Sequence, residues 1–129
     1  MIVTIKDENF AGKILNELSI DFKTSIVSVK DIISQRVAKE VEEYNSKMPA
    51  YFNGLVEPSE AEKTLNGFKP KAKKVIDAEQ QVYTALHAFQ NNGFFVLIDN
   101  IQSESLDQQI ELREGMAISF IKLTQLVGG

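Results

Sequence analysis

Cysteine is absent from this chain of 129 residues, and histidine occurs once, as His87. Without cysteine, thiol catalysis, disulfide bonds and cysteine-bound metals are excluded. A metal site with several histidine ligands is excluded because the chain has a single histidine. A Ser-His-Asp triad would have to use His87 as its base. We interpret His87 as a residue at the border of a helix, with no catalytic or metal-binding role.

Long hydrophobic runs are also absent. No stretch approaches the roughly 20 apolar residues of a membrane-spanning helix. The first residues do not combine a positive charge with an apolar run, as a secretory signal does. We therefore expect a cytoplasmic protein that does not contact a membrane.

Positive charge is slightly scarce. The chain has 14 basic and 18 acidic residues, which gives a net charge of −4. This balance argues against a nucleic-acid partner held by overall charge. Hydrophobic residues make up 43% of the chain, which is ordinary for a soluble domain with a real core. The length fits one domain, and we predict a single domain over residues 1–129.

The first 22 residues alternate in hydropathy, as strands do. Apolar residues occupy every second position in two segments: Met1, Val3 and Ile5, then Leu18, Ile20 and Phe22. A polar segment containing Gly12 separates them, as a hairpin turn requires. Residues 1–22 are therefore predicted to form a β-hairpin.

A helical period follows. Ser28 is a good N-cap, and Asp31 places a negative charge in the first turn. Apolar residues recur at spacings of three and four: Val29, Ile32, Ile33, Val37, Val41 and Tyr44. This stripe predicts an amphipathic helix that covers a sheet and ends before Pro49. Charged residues are expected on its opposite, solvated side: Lys30, Arg36, Lys39, Glu40 and Glu43.

The segment from residue 47 to 76 is irregular and contains all three prolines. A short helix is predicted over residues 59–65, because Ser-Glu-Ala-Glu resembles a capping box. Its aromatic residues Tyr51, Phe52 and Phe68 are expected to fold back onto the core. A clearer helix starts at the N-cap Asp77 and ends at 92–93 in Asn-Gly. We interpret residues 47–93 as an insertion with helical character.

The last third of the chain returns to strands. Residues 94–98 form a short apolar run typical of a buried strand. Residues 101–112 mix polar with apolar residues, and we expect this segment to lead the chain back. Residues 116–123 alternate in hydropathy, which predicts a final strand. The chain then ends in Leu126, Val127, Gly128 and Gly129.

This order of elements resembles the β-grasp fold of ubiquitin-like proteins, an α+β fold in which a helix crosses a mixed sheet. The turn Phe10-Ala11-Gly12-Lys13 resembles the first turn of ubiquitin. The segment from 96 to 129, with its Glu114-Gly115 turn and terminal Gly128-Gly129, resembles the sulfur carriers of thiamine and molybdopterin synthesis. The resemblance covers about residues 1–46 and 94–129, and it extends to bacterial ubiquitin-like proteins that end in Leu-Val-Gly-Gly.

The resemblance implies a protein modifier rather than an enzyme. Its C-terminal carboxylate, at Gly128 and Gly129, would be activated by an E1-like adenylating enzyme that uses ATP, with Leu126 and Val127 recognised as the tail. An E2-like protein, a JAB-type peptidase or a sulfurtransferase would be further partners. The resemblance implies no cofactor and no metal.

Two alternatives remain open. A sulfur carrier would form a thiocarboxylate at the same carboxylate. A non-covalent binding module would instead present Phe10, which resembles the exposed apolar turn residue of ubiquitin. The lysines at 69, 71, 73 and 74 are interpreted as a solvated loop, with a docking patch for an acidic partner as the alternative.

Overall fold

The computed structural model describes residues 1–71 and 74–122. These residues form an α+β fold with two helices and a mixed five-stranded sheet. The elements in chain order are β1 (Ile2–Glu8), β2 (Ile14–Asp21), β3 (Ile26–Ser28), α1 (Val29–Lys47), β4 (Ala61–Thr64), β5 (Gly67–Pro70), α2 (Ala78–Gln90), β6 (Phe94–Ile98), β7 (Ile101–Gln102), β8 (Gln109–Glu111) and β9 (Ile118–Lys122).

The predicted N-terminal hairpin is confirmed. β1 and β2 pair antiparallel, with Ile5 opposite Leu18 and a bulge between Asp7 and Glu8. The turn is closed by the Asn9 side chain, which accepts hydrogen bonds from the amides of Ala11 and Lys13. The odd positions of β1 point into the core, as the alternation predicts.

The large sheet has the strand order β2-β1-β9-β6-β7. β9 lies in the middle, parallel to β1 and antiparallel to β6. Of the final strand predicted over 116–123, the structure shows Ile118–Lys122, and Leu123 lies outside the described residues. The C-terminal end of the described chain is therefore held between two neighbouring strands.

Helix α1 is also confirmed. Ser28 caps it through a full capping box with Asp31, at 3.0 and 2.9 Å. The whole predicted apolar stripe is buried. The helix ends at Lys47, and its C-cap Met48 adopts a positive φ of 46° ahead of Pro49.

A small second sheet was not predicted. Three residues of β3 pair antiparallel with three residues of β8, so the start of α1 is tied to the return segment after β7. The amides of Val29 and Lys30 also donate to the carbonyls of Gln108 and Leu106. Strands this short leave too little alternation to be recognised.

The short helix predicted over residues 59–65 is wrong. β4 and β5 form a hairpin there, in which Thr64 lies opposite Gly67. Glu60 adopts a positive φ of 54°, which cannot begin a right-handed helix, and Gly67 takes a φ of 122° after the turn. The Asn66-Gly67 pair, which is typical of a hairpin turn, was the better indicator of the structure here.

The segment between residues 47 and 93 packs onto the rest of the molecule. Phe52 is buried and meets Tyr44 edge to face at 5.4 Å, as predicted for the aromatics of this segment. Phe68 and Tyr51 are half-buried. The predicted second helix is confirmed as α2, with Asp77 as N-cap, and it packs against α1. No helix in the described part of the chain is long and apolar enough to cross a membrane.

Candidate functional site

Gly128, Gly129, Leu126 and Val127, on which the predicted chemistry depends, lie outside the described residues. The structure does describe the strand that leads to them. β9 ends at Lys122, beside the start of β6, where Lys122 pairs with Phe94. The candidate site is therefore the end of the sheet at which β1 and β9 finish together.

A buried ion-pair network lies beneath this end of the sheet. Both amino groups of the Arg36 guanidinium donate to the Asp7 carboxylate, one of them at 2.7 Å. Arg36 Nε donates to Glu40 Oε1 at 2.5 Å, and Glu40 Oε2 accepts from the Leu55 amide at 2.8 Å. The network thus joins β1, α1 and the segment between α1 and β4.

The expectation that Arg36 faces solvent is wrong, because its side chain is fully buried, and Glu40 is only 13% exposed. Arg36 lies between Ile33 and Val37 on the buried side of α1. A bidentate partner in β1 and a second carboxylate one helical turn away allow this charge to be buried.

Aromatic rings cover the network from the sheet. The Arg36 guanidinium carbon lies 4.5 Å from the centre of the Phe120 ring, a cation–π geometry. Phe120 stacks on Phe94 at 5.8 Å between ring centres. The middle of β9 thereby contacts the same guanidinium that binds β1.

Burial changes the acid–base properties of the network. It raises the pKa of Glu40, against the attraction of Arg36 and the hydrogen bond from Leu55. Burial lowers the pKa of Lys122, and the charge of Arg36 acts in the same direction. For Arg36, burial would lower the pKa, but the bonds to Asp7 and the charge of Glu40 outweigh it and the pKa is raised. The guanidinium is therefore the fixed charge around which the others are arranged.

An open cleft of about 740 Å³ borders the end of the sheet, and we name it the exit cleft. Its walls come from the start of β2, the segment at residues 52–57, the β4–β5 hairpin, the ends of β1 and β9 and the start of β6. Lys122 lines it, and its ammonium donates to the Gly54 carbonyl at 3.2 Å. The apolar lining residues are Leu15, Phe52, Leu55, Val56, Leu65, Phe68 and Phe94.

Phe10, the predicted partner surface, lies in the β1–β2 turn with 68% of its surface exposed. Ile14 and Leu15 follow it at the start of β2, 46% and 51% exposed. The exposure predicted for Phe10 is confirmed, and the turn carries a small apolar surface. Its use in recognition stays a prediction.

His87 is on the exposed side of α2, stacked on Tyr83 at 6.3 Å and close to Asn91. Within residues 1–71 and 74–122, no cluster of three or more acidic or histidine side chains is placed to hold a metal ion. Of the four clustered lysines, Lys73 lies outside the described residues, and Lys74 pairs with Glu60 at 2.8 Å on the surface.

The sequence analysis missed Asp7, Lys122 and the burial of Arg36. A usable signal was present, because Asp7 continues the inward positions of Val3 and Ile5 in β1. Lys122 likewise continues the inward positions of Ile118 and Phe120 in β9. A charged residue at the next inward position of such a strand must either be paired with an opposite charge or lie where the strand reaches the surface.

Comparisons of this chain with protein-family models, with curated proteins and with solved structures found no match.

Proposed function

We propose that this chain is a ubiquitin-like β-grasp protein modifier, activated at the Gly129 carboxylate by an E1-like adenylating enzyme and transferred to a target. The observation that carries the proposal is the pairing of β9 inside the sheet, parallel to β1. This pairing and the order β2-β1-β9-β6-β7, with α1 between the first hairpin and the remaining strands, are compatible with a β-grasp.

The proposed chemistry belongs to the terminus. An α-carboxyl group has a reference pKa of about 3.3–3.7, so it is an anion at neutral pH. A carboxylate oxygen attacks the α-phosphorus of ATP, pyrophosphate leaves, and an acyl-adenylate forms. A thiolate of the enzyme then attacks the carbonyl carbon and AMP leaves. A lysine amine of the target displaces the thiolate to give the isopeptide bond.

The residue types suit this reaction. Gly128 and Gly129 have no Cβ, so an activating enzyme can surround the reacting carbonyl closely. Leu126 and Val127 offer apolar contacts next to it. The described part of the chain supports the proposal, because β9 brings it to Lys122, seven residues before Gly129 in the sequence. Phe120 contacts the Arg36 guanidinium, and Lys122 donates to the Gly54 carbonyl. The proposal requires that Gly129 carry the free carboxylate.

Intact-mass measurement separates the two covalent outcomes. The full chain is incubated with an E1-like adenylating enzyme, ATP and a sulfur donor or cell extract. A modifier gains the mass of a target. A sulfur carrier exchanges one oxygen for sulfur at Gly129. A chain that lacks residues 128–129 is the control, and modification of both chains alike would contradict the proposal.

A non-covalent binding module is the second candidate, and the exposure of Phe10 favours it. In that case a partner binds through the apolar turn, and residues 128–129 have no role. A partner recovered with the full chain would bind the chain lacking 128–129 equally well. It would be lost when Phe10 is replaced by Ala.

A further inference from the structure

A second cleft, of about 560 Å³, lies at the edge of the large sheet beside β7, and we name it the edge cleft. β7 has two residues, which pair with Leu97 and Ile98, so no described strand covers the start of β6 on this side. The walls of the edge cleft are the C-terminal end of α2, the start of β6, Gln102 in β7 and the loop of residues 103–107.

A buried hydroxyl group lies in the wall of the edge cleft. Ser103 is 3% exposed, and its amide donates to the Val96 carbonyl at 2.8 Å. Because residues opposite each other in antiparallel strands share a face, its side chain lies on the same face of the sheet as the buried Val96. Among the described residues, Ser103 Oγ is the one buried side-chain polar atom without a hydrogen-bond partner. A buried polar atom in this state calls for a partner, and here it borders a cleft.

The charge of the edge cleft is negative. Glu104 and Asp107 line it, and neither carboxylate forms an ion pair with a described residue. Helix α2 ends at Gln90 on the same wall, and the C-terminal end of a helix carries a partial negative charge. No lysine or arginine of the described residues lines this cleft. A cation therefore fits it better than an anion does.

The loop that carries these groups is held in place by its backbone. The Glu104 amide donates to Gln108 Oε1 at 3.0 Å, and the Lys30 amide at the start of α1 donates to the Leu106 carbonyl at 3.0 Å. The loop is thus bonded within itself and to α1. A ligand that binds it has little loop ordering to offset.

The remaining wall of the edge cleft is apolar. Phe89 and Phe94 are buried, with their ring centres 5.9 Å apart. Phe95 and Leu106 are half-buried and also line the cleft. Such a wall suits the methylene chain of a ligand whose charged end stays near water.

We propose that the edge cleft binds a primary ammonium group carried on an aliphatic chain. The ammonium donates to Ser103 Oγ, its charge is balanced by Glu104 and Asp107, and the chain lies against the phenylalanine rings. A free alkylamine and a lysine side chain of another protein share this chemistry. The proposal does not involve residues 123–129 and is independent of the proposed function.

A titration with two matched compounds tests the site. Pentylammonium and pentanol have the same chain and differ in the charged group. Both are added at pH 7 to the full chain, and the backbone amide signals are followed by NMR. We expect the signals of residues 102–107 to shift and saturate with pentylammonium, and pentanol to bind at least about tenfold more weakly, since it lacks the charge-assisted bonds. Equal binding of the two compounds, or shifts that do not include this loop, would overturn the proposal.

Ser103→Ala separates ligand binding from stability. The affinity for pentylammonium should fall about tenfold, as expected for a lost hydrogen bond to a charged group. The Tm should not fall, because the hydroxyl has no partner in the protein. Unchanged affinity in this variant would overturn the assignment of the ammonium to Ser103.

A pair of glutamate variants tests the charge. Glu104→Gln should weaken pentylammonium binding about threefold, the effect of one exposed ion pair. Glu111→Gln is the control, because Glu111 is exposed in β8 and does not line the cleft. Equal effects of the two substitutions would show attraction to overall charge only and would overturn the site.

Two further ligands distinguish the sources of the ammonium. Tighter binding of Nα-acetyl-lysine methylamide than of pentylammonium assigns the edge cleft to a lysine side chain, and the reverse order assigns it to a free alkylamine. Absence of binding by both compounds would overturn the proposal. Neither ATP nor an activating enzyme is present, so failure here leaves the proposed function standing.

Discussion

Arg36 is the largest of the fully buried side chains, and its position shows how single residues hold this molecule together. Its guanidinium touches Asp7 in β1, Glu40 in its own helix and the Phe120 ring in β9. One planar cation thus connects three elements that are distant in the chain. Its desolvation is offset only because both carboxylates are in place.

Replacing Asp7 by Asn should therefore be costly. The substitution removes the bidentate carboxylate and leaves the buried Arg36 charge with Glu40 alone. We expect the free energy of unfolding, measured by urea denaturation at pH 7, to fall by about 3 kcal/mol. The control is Asp21→Asn, whose carboxylate is 56% exposed and pairs with the N-terminus. There the loss should be much smaller, because solvent screens an exposed ion pair. Similar losses for the two variants would contradict the structural role of the network.

Residue patterns could predict part of this network. The alternation of β1 places Asp7 on the inward side, and the helical spacing places Arg36 beside Ile33 and Val37. What the sequence cannot supply is the pairing of the two, since they come from different elements. Without a visible partner, assigning Arg36 to solvent was the ordinary choice.

At the scale of elements, the segment between α1 and β4 is fixed by close packing. Gly54 is buried, and its carbonyl accepts the hydrogen bond from Lys122. A Cβ at this position would collide with the Phe52 ring and with Glu40 Oε2. The absence of a side chain lets this segment approach both α1 and the end of β9.

Gly54→Ala should accordingly destabilise the protein. We expect a loss of about 1–3 kcal/mol in the free energy of unfolding, as overpacking in a core costs. Combining it with Phe52→Leu gives the control, because the smaller side chain relieves part of the collision. The loss measured for the double variant should then be smaller than the sum of the two single losses in a double-mutant cycle. Strict additivity would show that the collision with Phe52 is not the cause.

Long, regular elements were predictable and short ones were not. The N-terminal hairpin, α1, α2 and β6 each carry a full period of apolar residues or a cap, and all four are confirmed. β3 and β8 have three residues each and exist through their mutual pairing. At residues 59–65 a capping-box pattern competed with a turn signal at Asn66-Gly67, and the turn prevailed.

At the scale of the whole molecule, β9 is the element that matters most. It contributes Phe120 to the core and Lys122 to the exit cleft, and it lies between β1 and β6. The alternation of apolar residues predicted a strand here. The position of that strand inside the sheet depends on residues far away in the chain, and only the resemblance implied it. The proposed function is compatible with that place, because the described end of the chain is held between two paired strands.

The most direct test of this account is ATP–pyrophosphate exchange catalysed by an E1-like adenylating enzyme. Exchange reports formation of the acyl-adenylate alone, before any transfer to sulfur or to a target. The account predicts that the full chain supports exchange and that a chain ending at Val127, with equal thermal stability, does not. Exchange of equal rate with both chains, or none with the full chain, would contradict it.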